Sequence, residues 1–237
     1  MNFSSHRVSR VLGLALGASI ATIALPATVG AQEVRAVMHS AIRVLDPIIT
    51  TAHITRNHGY MIYDTLLGMD SSYQPRPQMA DWTVSDDGLV YRFTLREGLT
   101  FHDGAPVTAA DCVASLRRWA ERDAGGQMMM EHAASLEAEG DDTIVLTLEQ
   151  PFTYVAELLA KPSSVPAFIM PERIANTPST EAIGEHVGSG PFRFVADAFQ
   201  PGVQAVYEKF AEYRPRDEPP SWTAGGKTVN VCLLYTS

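Results

Sequence analysis

The sequence DWTVSDDGLVYRFTLREGLTFHDGAPVTAADCVASLRRWAERD, residues 81–123, carries the strongest local structural signals in the chain. Apolar side chains at every second position of 89–95 alternate with mostly polar ones, which predicts a strand with one buried face. Asp-Asp-Gly at 86–88 predicts a tight turn before it, because glycine accepts a positive φ without steric cost. Thr108, with Asp111 three residues later, predicts a capping box at the start of a helix. The stretch therefore predicts a turn, a strand and a capped helix in close succession.

The same stretch resembles the signature segment of the family 5 extracellular solute-binding proteins, the peptide-, dipeptide-, oligopeptide- and nickel-binding components of ABC importers. The shared pattern is W-x-x-S-x-D-G-x-x-Y-x-F-x-L-R-x-G-x-x-F-H-D-G-x-P-V-T-A-x-D. Cys112 departs from the family, which usually has an aliphatic residue there, although a thiol still suits a small apolar core site. The matching residues are Trp82, Ser85, Asp87, Gly88, Tyr91, Phe93, Leu95, Arg96, Gly98, Phe101, His102, Asp103, Gly104, Pro106, Val107, Thr108, Ala109 and Asp111.

Shorter segments extend the resemblance over nearly all of residues 32–231, including Leu-Asp-Pro at 45–47 and Gly-Ser-Gly-Pro-Phe at 188–192. The resemblance implies an α/β fold, that of a type II, cluster C periplasmic binding protein. Its first lobe would be discontinuous, made of residues 32–70 and 187–237, with a second lobe, 71–186, inserted between them. A third lobe, which in peptide-binding members carries the acidic group that pairs with the ligand's amino terminus, would lie outside this chain.

The end of the chain also predicts a truncation. The residues Cys-Leu-Leu-Tyr-Thr-Ser at 232–237 do not continue the strand-and-turn pattern and read like out-of-frame sequence. Family members are considerably longer than 237 residues. We therefore expect this sequence to be the amino-terminal portion of a longer protein.

The amino terminus has the three-part pattern of an export signal. A basic segment at 6–10 precedes an apolar run at 11–25, and Val-Gly-Ala at 29–31 forms a small-residue cleavage site. The pattern predicts a signal peptide over 1–31, cleavage between Ala31 and Gln32, and a periplasmic protein. The alternative, a membrane anchor, is disfavoured because the apolar run is short for crossing a bilayer.

Composition narrows the class of protein further. The formal net charge is −9, from 27 acidic and 18 basic residues, which argues against a nucleic-acid-binding surface. The hydrophobic content of 46% and the charged content of 19% are typical of a globular protein with a sizeable core. The chain has two cysteines, Cys112 and Cys232, without metal-ligand spacing, so a zinc site is not expected and a disulfide between them is disfavoured.

Periodicity and turn residues predict further elements along the chain. They are strands at 34–38, 143–149 and 228–231, helices at 52–67, 128–136, 152–160 and 172–175, a connector at 73–77, a flexible loop at 124–127, and a hairpin of 192–199 with 203–210.

The resemblance also places candidate ligand-binding residues. In the family, the loop before the Leu-Asp-Pro triplet borders the ligand cleft, and so does the region that corresponds to the three consecutive methionines at 128–130. Packing in the core is the alternative role for these methionines, whereas adaptable methionine surfaces suit a promiscuous binder. The candidate cleft residues are Ser40, Ala41, Ile42, Arg43, Met128, Met129 and Ser163.

Three motifs suggest other chemistry and are better explained structurally. Gly188-Ser189-Gly190 resembles a nucleophile elbow, but Val187 occupies a position where that motif needs glycine. His102-Asp103 resembles a metal-binding pair without supporting ligands elsewhere in sequence. His39, His53 and His58 are close in sequence, yet 53 and 58 are five residues apart, off the helical i, i+4 spacing.

Together these features predict a non-enzymatic protein that captures di- or oligopeptides and delivers them to a membrane permease and ATPase of an ABC importer. We expect a monomer with no catalytic residue, no metal and no cofactor. Two alternatives stay open: the same family with a nickel, heme or opine-type ligand, and, more remotely, a secreted serine hydrolase that uses Ser189 or Ser40 with a histidine.

Overall fold

The computed structural model describes residues 33–236 of the 237-residue chain. The predicted signal peptide and its cleavage site lie outside the described residues.

Strands and helices alternate irregularly along the described chain. The strands are β1 Glu33–Ala36, β2 Asp64–Thr65, β3 Leu67–Met69, β4 Pro75–Pro77, β5 Ala80–Val84, β6 Val90–Leu95, β7 Ala133–Glu139, β8 Thr143–Leu148, β9 Phe168–Ile169, β10 Phe192–Phe194, β11 Ala205–Lys209 and β12 Leu233–Thr236. The helices are α1 His53–Ile62, α2 Ala109–Arg122, α3 Ala124–Glu131, α4 Val155–Ala160 and α5 Glu172–Ala175, with a 3₁₀ turn at Ala196–Ala198.

The signature stretch folds as its sequence predicts. It forms two strands of an antiparallel sheet with the order β5-β6-β8-β7, in which Trp82 lies opposite Phe93. Gly88 has a φ of 72°, as the predicted turn requires. The capping box is present, because the Thr108 hydroxyl accepts from the Asp111 N–H and the Asp111 carboxylate accepts from the Thr108 N–H.

Helix α2 supplies much of the core that covers this sheet. Its amphipathic pattern buries Cys112, Leu116 and Trp119 completely or nearly so. The Trp119 indole donates to the carbonyl of Val165 at 2.7 Å, which satisfies the one polar atom that its burial removes from water. Cys112 is buried and Cys232 is exposed, and both thiols are free.

A second four-stranded sheet has the order β1-β12-β11-β10. The predicted hairpin is confirmed as the antiparallel pair β10 and β11, with the 3₁₀ turn between them. The strand predicted at 228–231 is wrong. The strand lies at Leu233–Thr236 instead, where it pairs in parallel with β1 and antiparallel with β11. The expectation that residues 232–237 break the strand pattern is therefore wrong for these four residues.

The helix predicted over 52–67 is wrong in its second half. Helix α1 ends at Ile62, and the chain continues in extended conformation as β2 and β3. β2 pairs with β9, and β3 pairs with β4, which makes the predicted connector at 73–77 one arm of a hairpin. The apolar spacing at 61–66 is compatible with a helix, but the pairing of β2 with the distant strand β9 decides the conformation.

The loop predicted at 124–127 is wrong, and the helix predicted at 128–136 is confirmed only over 128–131. The Asp123 carboxylate accepts from the N–H groups of Gly125 and Gly126 and so starts α3 in spite of the two glycines. The chain then enters β7, which pairs along its length with β8. The helix predicted from 152 begins at Val155.

A buried ion pair joins the loop before α1 to α2. Arg118 Nη2 lies 2.8 Å from Asp46 Oδ2, and both side chains are almost completely excluded from solvent. Asp46 also accepts from the N–H groups of Ile48 and Ile183, while Arg118 donates to the carbonyls of Thr177 and Glu181. Nearly every polar atom of the pair is thus engaged, which makes its burial tolerable.

Candidate ligand site

The predicted cleft loop, 40–43, lies between β1 and α1 and is fixed at its downstream end. Ser40, Ala41 and Arg43 are exposed, whereas Ile42 is buried. The Thr55 hydroxyl donates to the carbonyl of Val44 at 2.7 Å, which ties α1 to the loop. The loop therefore presents polar and small groups outward and anchors itself through one aliphatic side chain.

Two neighbouring cavities lie against this loop and share the side chains of Met38, Ile42 and Ile54 as lining. The smaller, of about 20 Å³, is also lined by Ser40 and Ala41. That volume holds roughly one water molecule.

The larger cavity has a volume of about 180 Å³. Ala36 and Met61 complete its apolar lining, and Asn57, His58 and Tyr207 supply its polar groups. An apolar concavity with a few polar groups is the usual form of a small-ligand site in proteins.

His58 and Tyr207 form the polar side of the larger cavity. His58 Nδ1 lies 2.8 Å from the Tyr207 hydroxyl, and both residues are buried. Burial, with a smaller contribution from the neighbouring imidazole of His186, lowers the pKa of His58 to about 3. Burial also raises the pKa of Tyr207. Both groups are therefore neutral near pH 7, and this side of the cavity carries no formal charge.

The remaining predicted site residues lie in other parts of the structure. Met128 on α3 is 49% exposed, and Ser163 lies exposed in the loop after α4. Met129 is completely buried, so its side chain packs in the core beneath α3. Neither cavity beside the 40–43 loop is lined by any of these three residues. Their assignment to a ligand site stays a prediction.

The Gly188-Ser189-Gly190 segment is shaped by close backbone packing against the end of α1. A Cβ atom added at Gly188 would lie 1.8 Å from the carbonyl oxygen of Ile62. Gly190 donates its N–H to the same carbonyl at 3.0 Å. Ser189 is buried, and its hydroxyl contacts Met79 Sδ at 3.9 Å. The glycines are required by this approach rather than by a nucleophile elbow.

His102 holds this glycine segment in place. Its Nδ1 accepts from the N–H of Gly188 at 3.2 Å, so the ring proton resides on Nε2, which donates to the carbonyl of Gly190 at 3.0 Å. Burial is the main reason that its pKa is lowered to about 4. With both nitrogens bound to backbone, His102 is not placed to activate Ser189, and the hydrolase hypothesis gains no support there.

The other histidine and acidic motifs also have structural partners. Asp103 forms an ion pair with Arg173 at 2.9 Å. His39 and His53 contact each other edge to face, and His53 Nδ1 lies 2.9 Å from an Arg56 nitrogen. Within residues 33–236, no group of three or more His, Cys, Asp or Glu side chains is arranged to hold a metal ion.

Of the residues that line the larger cavity, the sequence analysis named only Ile42 as a candidate. Ile54 and His58 are four residues apart on the buried face of α1, so helical spacing could have paired them. Tyr207 is separated from His58 by 149 residues, and no local pattern connects the two.

This architecture is shared with solved periplasmic binding proteins. The oligopeptide-binding protein AppA from Bacillus subtilis, solved in complex with a nonapeptide, superposes with a TM-score of 0.68 at 19% sequence identity. The match covers 87% of this chain and 40% of that one. The fold is thus that of the type II periplasmic binding proteins, as the sequence resemblance implies.

Sequence comparison defines the family. The family model described as bacterial extracellular solute-binding proteins, family 5 Middle, matches residues 74–230, and the chain belongs to this family. It is 45% identical over 224 residues to the "probable peptide ABC transporter periplasmic-binding protein y4tO" of Sinorhizobium fredii, a match that covers 92% of this chain and 41% of the relative. It is 34% identical over 195 residues to the glutathione-binding protein GsiB of Salmonella typhi, covering 81% of this chain and 36% of the relative. The chain thus spans about two fifths of the length of these curated relatives.

Within residues 33–236, no helix has both the length and the apolar character that a bilayer span demands.

Proposed function

We propose that the protein is the substrate-binding component of an ABC importer and that it captures peptides for delivery to a membrane permease and its ATPase. The observation that carries this proposal is the 45% identity to the peptide transporter component of Sinorhizobium fredii over 92% of the chain. The family consists of solute-binding proteins, and a binding role needs a closable cleft and polar recognition groups rather than an acid–base pair.

The ligand is proposed to lie along the 40–43 loop, where Ile42 lines both cavities and Ser40 and Ala41 line the smaller one. Arg43 is exposed and forms no ion pair with any residue of 33–236. A guanidinium in that state is suited to bind a ligand carboxylate, such as a peptide carboxyl terminus. Met128 and Ser163 are proposed as a second set of contacts from the other lobe, with Met129 supporting them from the core.

The proposed organisation follows from the resemblance described above. Residues 32–70 and 187–237 belong to the first lobe, and 71–186 form the inserted second lobe. The export pattern supports a periplasmic location, with cleavage between Ala31 and Gln32. We propose a monomer, because a carrier that visits a permease needs no second copy of itself.

Calorimetric titration of the protein, expressed from its native gene and purified from the periplasm, tests this function. The titrants are a dipeptide, a tripeptide series, glutathione and a nonapeptide, with nickel ion, heme and an opine as the alternative ligands. We expect micromolar or tighter binding of at least one peptide and its recovery intact. Binding of only nickel, heme or the opine would replace the peptide assignment, and cleavage of the peptide would replace the transport role.

Arg43 gives a site-directed test of the same proposal. Arg43→Gln is expected to weaken binding of a peptide with a free C-terminal carboxylate about tenfold. Binding of the same peptide with a C-terminal amide should be unaffected by the substitution, because the amide carries no charge for Arg43 to bind. Arg122→Gln, an exposed arginine near the end of α2, serves as the matched control. Equal loss for both peptide forms would remove Arg43 from the proposed carboxylate contact.

A further inference from the structure

The 180 Å³ cavity beside the 40–43 loop has the size of one amino-acid side chain. Pockets that enclose whole drug-sized ligands are larger, from about 300 Å³ upward. An apolar cavity of about 150 Å³ in another protein accommodates benzene. The cavity is thus too small for a peptide and large enough for a leucine, isoleucine, methionine or phenylalanine side chain.

The lining of the cavity disfavours a charged ligand group. Met38, Ile42 and Met61 contribute aliphatic and thioether surface, and the polar groups His58 and Tyr207 are hydrogen-bonded to each other. No Asp, Glu, Lys or Arg is among the residues that line it. A charged group placed there would lose its hydration without gaining a counter-ion, which is strongly unfavourable.

The cavity is also within reach of a ligand on the loop. It shares Met38, Ile42 and Ile54 with the smaller cavity that Ser40 and Ala41 line. Asn57 at its lining is exposed, and Met38 and Met61 are half-buried, so the cavity connects to the surface through flexible side chains.

We propose that this cavity is a specificity pocket that receives one uncharged, apolar side chain of the bound peptide. The inference rests on the proposed function, because it assigns a preference to the peptide site. It predicts that the protein discriminates among peptides by the character of a single residue and tolerates variation elsewhere.

The test uses the purified protein from its native gene and tripeptides of the form Ala-X-Ala, with X as Leu, Phe, Trp, Gly, Asp or Lys. We expect Ala-Leu-Ala to bind at least about tenfold more tightly than Ala-Gly-Ala, Ala-Asp-Ala and Ala-Lys-Ala. Ala36→Ile fills the cavity from β1 with a residue suited to a strand. It is expected to reduce the Leu-to-Gly ratio to about threefold or less, because the filled cavity no longer admits the leucine side chain.

Val37→Ile is the matched control, because Val37 is the neighbouring residue, is 87% exposed and lines neither cavity. Met61→Ala provides a second variant that enlarges the cavity, and it is expected to improve binding of Ala-Trp-Ala relative to Ala-Leu-Ala. Thermal unfolding checks that each variant is folded. Ratios that neither Ala36→Ile nor Met61→Ala changes would overturn the pocket while peptide binding itself stands. Failure of all six tripeptides to bind would overturn the pocket, and failure of every peptide in the calorimetric panel as well would overturn the proposed function.

Discussion

Gly188 shows how one missing side chain permits the packing of two segments. A Cβ atom there would lie 1.8 Å from the Ile62 carbonyl oxygen, so the backbone would have to move. We expect Gly188→Ala to lower the free energy of unfolding by about 3 kcal/mol, at the upper end of the range for overpacking. Urea unfolding measures this as a lower midpoint with an unchanged slope.

Gly184→Ala is the control for that substitution, because no atom lies within 4 Å of a Cβ placed there. Its effect is expected to stay within about 0.5 kcal/mol. Equal midpoints for the two alanine variants would show that the 188–190 segment relaxes freely.

Arg118 shows the cost of separating a buried ion pair. Arg118→Met would leave the Asp46 carboxylate buried without its counter-ion, and we expect a loss of about 3–5 kcal/mol in unfolding free energy. Adding Asp46→Asn removes the stranded charge, so the double variant should be less destabilised than the sum of the single variants. Arg122→Met, on the exposed side of the same helix, should change stability by less than about 0.5 kcal/mol. Additive effects of the two substitutions would contradict the coupling.

Helix α2 illustrates how an element's terminus can connect to its neighbours. Asp111 Oδ1 accepts from the N–H of Glu172 at the start of α5 at 2.7 Å, while Oδ2 serves the capping box. We expect Thr108→Ala to cost about 1 kcal/mol of stability and Asp111→Ala to cost more, because the second variant loses both contacts. Glu121→Ala, exposed on the same helix, is the control. Chemical denaturation measures the unfolding free energy of the three variants. Equal losses of stability in Thr108→Ala and Asp111→Ala would argue against the link to α5.

Stability of the whole molecule is expected to fall as the pH drops below about 6.5. Burial lowers the pKa of His102 to about 4 and that of His58 to about 3, so the unfolded chain binds these protons first as the pH falls. Above about pH 6.5 both states are neutral at these sites and the contribution is constant. Between about pH 6 and the folded-state pKa, each histidine lowers the unfolding free energy by about 1.4 kcal/mol per pH unit.

Thermal or urea unfolding between pH 7.5 and 4.5 measures this dependence. In His102→Gln, an amide replaces the hydrogen-bond acceptor and donor of the imidazole. The slope of unfolding free energy against pH should then decrease by about 1.4 kcal/mol per pH unit, the contribution of one proton. An unchanged slope in this variant would mean that His102 takes up its proton equally in both states.

The amino-acid sequence by itself determined the signature strand, its turns, the capped helix α2 and the family, because each depends on residues within a few positions of one another. Tertiary structure decided where α1 ends, because β2, which follows it, pairs with β9 far along the chain. It also decided that residues 133–139 form a strand and that the strand near the end lies at Leu233–Thr236. A local motif led to the prediction that the 40–43 loop borders the ligand, and that role stays a prediction. The cavity beside it was not predictable from a local motif, because its polar side joins His58 to Tyr207 across 149 residues. Local periodicity predicts which face of a helix or strand is buried, but only the tertiary structure determines which residues pack against that face.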